Sequence, residues 1–110
     1  QMCIRDRTMT YFIETFDKPD HQTVRQALRP QHLDFLQAHA HRLLACGAKL
    51  RDDGSDAGGG VYIITADSLA EAQAFIHADP FFQGELFAEV RITRWRKAYV
   101  DGVCHLPGAQ

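Results

Sequence analysis

The chain has 110 residues, of which 45% are hydrophobic, and carries a formal net charge of −2. That length suits one domain with a core of its own, needing neither a disulfide nor a metal to hold it together. The charge balance excludes the basic face of a nucleic-acid binder, because Arg91, Arg94, Arg96 and Lys97 stand against 14 acidic residues.

The three cysteines, Cys3, Cys46 and Cys104, form no Cys-x-x-Cys pair. With no apolar signal stretch, they point to a reducing cytoplasm. No apolar run approaches the ~18 residues of a membrane helix. The first eight residues, QMCIRDRT, fit no periodicity and resemble translated sequencing-adaptor read-through. They are expected to be a non-native or disordered leader, ahead of a domain over residues 9–97 and a turn-like tail over 98–110.

In chain order, TYFIETF (Thr10–Phe16) is rich in β-branched and aromatic residues and is broken by DKPD, so it predicts a first strand. A helical pattern runs from about Thr23 to Cys46, with Leu33, Leu36, Ala40, Leu43, Leu44 and Gly47 on one stripe. Pro30 fits a fresh helix start and Gly47 a C-terminal cap. Ala48–Asp52 and Val61–Thr65 read as two strands joined as a hairpin by Asp-Gly and a glycine run. That run is not a phosphate-cradling loop, since a strand follows it rather than a helix.

Ser68–Ala78 predicts a second helix, capped by Asp67 or Ser68 with Glu71 at the capping-box position, and Pro80 ends it. Leu86–Trp95 is the last strand. The order β-α-β-β-α-β is that of a ferredoxin-like α+β fold, with both helices on one face of an antiparallel sheet. In the last strand Ala88, Val90 and Ile92 should face the helices, and Phe87, Glu89, Arg91, Thr93 and Trp95 the open side. A face that aromatic wants a partner, which predicts a symmetric homodimer.

Six histidines need places. His32 and His39 fall together at the edge of the first helix's stripe, His41 and His77 point to solvent, and His21 and His105 lie in loops. A metal site from His32, His39 and Asp79 would need ligands on adjacent helical turns, and a seven-residue spacing does not give that, so no metal is expected; nor is a cofactor expected. Asp79, before Pro80, either makes a simple turn or is a partly buried carboxylate that needs a partner, and His32 is the one at hand. Such a pair can do general acid–base work. Tyr11, Phe81 and Trp95 would line a pocket for an aromatic or lactone-like ligand.

LRPQHLDFL, DDG…GGG, ADSLAEA and ADPFFQGELFAEVRITRW together resemble the YciI-like (YCII-related) family, over Met9 to about Trp95. The resemblance implies a ferredoxin-like protomer that pairs through its open sheet as a dimeric α+β barrel. It also implies an active-site pair falling on His32 and Asp79, with Arg29 of the same helix motif among the substrate-binding residues. Two kinds of function follow. One is a cofactor-independent lyase or isomerase in which His32 moves a proton on an unidentified small molecule. The other is a non-catalytic dimeric small-molecule-binding or regulatory domain.

Overall fold

The computed structural model describes residues 9–108, so the leader anticipated over residues 1–8 lies outside the described residues. The elements are β1 (Met9–Asp17), α1 (Gln22–Ala38), a 3-10 turn (Ala40–Arg42), β2 (Leu43–Leu50), β3 (Asp56–Ala66), α2 (Leu69–His77), α3 (Pro80–Gln83) and β4 (Phe87–Trp95). Two short strands follow, β5 (Tyr99–Val100) and β6 (Val103–Cys104), which pair as a hairpin where a turn-like tail was expected. The main sheet runs β2-β3-β1-β4 and every neighbouring pair is antiparallel. This is the ferredoxin-like arrangement. No helix among the described residues is long and apolar enough to cross a membrane.

Alternation along each strand separates the two faces. Tyr11, Ile13 and Thr15 of β1 and Tyr62, Ile64 and Ala66 of β3 are buried, and they meet Phe35 of α1 and Ala72, Phe75 and Ile76 of α2. On the open face Phe12, Phe16, Val61, Ile63 and Trp95 are half-buried. Phe16 carries Lys49 at 3.7 Å and Arg91 at 4.9 Å from its ring centre.

Three expectations are corrected. The first helix ends at Ala38, not Cys46. The His39 N–H and its ring Nδ1 both close on the Phe35 carbonyl, and Leu43 onward pairs with β3. Without that pairing β3 would leave a row of backbone groups unmatched, and their demand outweighs the local helical period. Gly47, expected at a helix cap, therefore lies inside β2, opposite Val61. Pro30 starts no new helix but sits within α1, where the stripe turns His32 and Phe35 inward and leaves Leu33 42% exposed.

The third correction concerns Phe87. One step along β1, from Phe16 to Asp17, moves the pairing two residues along β4, from Glu89 to Phe87. Ala88 is the extra residue of a β-bulge, and a bulge reverses the face of what lies beyond it. Phe87 thus leaves the open face and sits edge-on to the Phe81 ring, at 6.1 Å. Glu89 and Arg91 do remain on the open side, paired within the chain at 2.6 Å.

Candidate active site

Pro80 forbids Asp79 the helical conformation, so α2 closes at Ala78 and Asp79 takes an extended one (φ −66°, ψ 131°). From there it caps the next short helix, where the Phe81 N–H donates to its carboxylate at 2.8 Å. Asp79 is fully buried, and a buried carboxylate must be surrounded by donors. Tyr62 of β3 gives its hydroxyl to Oδ2 at 2.7 Å. His32 of α1 gives Nδ1–H to both oxygens, at 2.9 and 3.0 Å. The phenol and the amide each hold one oxygen while the imidazole sits between them.

That bond sets the tautomer. With Nδ1 donating, neutral His32 carries its lone pair on Nε2. Among the described residues no fully buried side-chain nitrogen or oxygen lacks a partner, and Nε2 has none, so it reaches open space. The space is a cleft of about 200 Å³ lined by His32, Arg25, Arg29, Cys46, Tyr62 and Phe81, with Leu33, Leu36 and small residues of β2 and β3 completing it. Phe81 stacks on the imidazole at 3.9 Å and 13°, and Arg25 lies 4.7 Å over the same Phe81 ring. Arg25 is held in turn by Asp17, through Nε at 2.7 Å and a second nitrogen at 3.2 Å. Burial, with the Asp79 charge and its hydrogen bond, raises the Tyr62 phenol far above its usual range, so Tyr62 stays a donor.

Cys46 is exposed by surface area, yet its thiol faces the concave wall of the cleft. Loss of solvent there and, second, the charge of Asp79 push it up to about 11. A thiol is nucleophilic only as the thiolate, so Cys46 is inert at neutral pH. The thiolate is favoured less in the folded chain than in the unfolded one, so this group favours folding below about pH 9 and loses that contribution as pH rises towards 11. Iodoacetamide should label Cys46 at pH 7.5 roughly 100-fold more slowly than an ordinary thiol, and about tenfold faster per pH unit until near pH 11. Peptide mapping that finds Cys46 labelled at pH 7.5 as fast as free cysteine would contradict this.

Of the residues singled out in the sequence, His32, Asp79, Phe81 and Arg29 come together at the cleft. Tyr11 lies in the core with its hydroxyl towards the Met9 sulfur at 3.5 Å, and Trp95, opposite Thr10, is on the other face of the sheet. Neither lines the cleft. His39 packs between Phe35 and Phe75. Among the described residues no three potential ligands gather for a metal. Tyr62, Arg25 and Cys46 were not singled out for this site. Arg25 had a local signal, since it lies four residues before Arg29 and seven before His32 on one helix face. Tyr62 and Cys46 had none, because only the pairing of β2 with β3 sets them side by side.

The sheet order and the helices packed on one face define a ferredoxin-like α+β protein, in which a buried His32–Asp79 pair borders a small cleft. The chain belongs to the YCII-related domain family, whose model matches residues 9–96. It is 33% identical over 98 residues to Protein YciI of Escherichia coli O6:H1, covering 83% of this chain and all of that one, and to the same extent to Protein YciI of Shigella flexneri. Among solved structures it is similar to 5-chloro-2-hydroxyhydroquinone dehydrochlorinase (TftG) of Burkholderia phenoliruptrix in complex with 2,5-dihydroxybenzoquinone. That likeness has 29% identity and a TM-score of 0.73, over 80% of this chain and 94% of the other.

Proposed function

We propose that the protein is a cofactor-independent enzyme that moves a proton on a ring-sized small molecule, with Nε2 of His32 as the base. The observation that carries this reading is a buried carboxylate that fixes the imidazole with its lone pair towards a cleft. Asp79 orients the ring and stabilises the imidazolium once the proton has arrived. Stacked Phe81 and edge-on Tyr62 hold the ring from two further sides. The likeness to TftG supports a lyase. Dehydrochlorination removes one proton and one chloride from its substrate, so it requires a base and no oxidant or reductant.

The test uses 5-chloro-2-hydroxyhydroquinone under anaerobic conditions, with released chloride followed over time. Native protein should release chloride faster than buffer alone, and His32→Ala should lose about 10²–10⁴-fold of that rate. No release by native protein would reject the dehydrochlorinase reading, and equal rates in the two proteins would remove His32 from the reaction.

The open sheet face supports a symmetric homodimer. Phe12, Phe16, Val61, Ile63 and Trp95 would be covered there, at roughly 1.5–3 kcal/mol for each large side chain taken fully from water. A solution mass near 12.4 kDa at micromolar concentration would exclude it.

A further inference from the structure

We propose that the His32 cleft selects a planar monoanion, and that Arg29 is the residue that receives its charge. The inference rests on the reading that ligands enter this cleft, but not on any reaction.

Arg25, Arg29 and His32 are spaced four and three residues apart, which sets them along one face of α1, and all three line the cleft. The charges there are not equivalent. Arg25 is occupied, because it forms a two-pronged pair with Asp17 in which both side chains are largely covered. Asp79 lies beneath the wall, with its oxygens already taken by three donors. Cys46 and Tyr62 stay protonated at neutral pH, since loss of solvent raises both. Arg29 is exposed and, among the described residues, has no carboxylate partner.

None of the residues lining the cleft is acidic. The contrast with the larger hollow at the other end of α1 is direct. There Asp67 and Glu71 join the wall, and Glu71 already holds Arg42 at 3.4 Å. The His32 cleft thus presents a cation with no acidic residue on its walls, and a guanidinium binds a carboxylate with two parallel N–H donors. About 200 Å³ holds one substituted ring. Gly47 and Gly60 bring no side chain to its wall, and a Cβ at position 60 would come 2.9 Å from the Gly47 carbonyl oxygen of β2.

Benzoate, benzamide and benzamidine share one shape and differ in charge, so they isolate this claim. Their binding can be followed by shifts of the His32, Phe81 and Gly60 amide signals in NMR spectra of the full chain. Benzoate should bind at least ~10-fold tighter than benzamide, with benzamidine giving no shift at these residues. Its advantage should shrink in 0.5 M salt, where exposed charges are screened. Arg29→Gln keeps a good helix former at an exposed position, so the melting temperature should hold while the preference for benzoate falls to about twofold or less.

Equal binding of benzoate and benzamide would overturn the proposal. So would the absence of any shift at millimolar probe, or an undiminished preference in Arg29→Gln. Chloride release tests the enzyme reading separately, so either result can fail while the other stands.

Discussion

Asp79→Ala is expected to destabilise the fold by about 3–5 kcal/mol, because it strands three donors in a closed site at once. At 110 residues that corresponds to a fall of roughly 13–22 °C in melting temperature. The loss has three parts. The Tyr62 hydroxyl, His32 Nδ1–H and the Phe81 N–H would each lose their acceptor in a site closed to water. An unsatisfied buried polar group costs about 1–3 kcal/mol, and the three share one vacated space, so they do not simply add. The Phe81 N–H bond is also the cap on α3, so its loss is already within that sum. Asp79→Asn should lose less, because an amide oxygen still accepts from one donor while its NH₂ opposes another. Differential scanning calorimetry of both variants decides this. A fall of under about 4 °C in Asp79→Ala would mean that the carboxylate is not the centre of the network.

Gly59→Ala should cost about 2–4 kcal/mol in urea unfolding, and Gly58→Ala about 1 kcal/mol or somewhat more. Both glycines hold positive φ, at +146° and +82°. Only Gly59 also lacks room. A Cβ there would lie 2.1 Å from the Thr15 carbonyl oxygen and 2.7 Å from Lys49 Cε, whereas one on Gly58 meets only Asp17 Cβ at 3.8 Å. The lysine end can swing away and the Thr15 backbone cannot, since Thr15 lies in the centre of β1 and pairs with Gly60. Relief would require the β1–β3 ladder to part where it carries Phe16 and its two cations. Equal losses in the two variants would show that backbone strain alone sets the cost.

What the sequence determined by itself is what neighbouring residues decide between them. The Ser68–Glu71 capping box, in which Glu71 N–H donates to the Ser68 hydroxyl and Asp67 N–H to the Glu71 carboxylate, was legible because its parts lie within five residues. The Asp79–Pro80 corner was legible for the same reason, and the two-residue alternation of β4 put Val90 and Ile92 on the core side. The partnership of His32 with Asp79 spans 47 residues. It could be anticipated because a carboxylate behind an Asp-Pro corner needs a donor and the family motif supplied one.

Tertiary structure decided the rest through strand pairing. It ended α1 at Ala38, because the β3 edge needed β2. It placed the glycine run inside β3, with Gly59 and Gly60 against Phe16 and Thr15. It turned Phe87 inward through a bulge that pairing with β1 creates, and brought the Tyr62 hydroxyl to Asp79. Each of these turns on backbone groups far apart in sequence satisfying one another, and the free energy of that match exceeds the fraction of a kcal/mol per residue by which local propensity prefers one conformation to another.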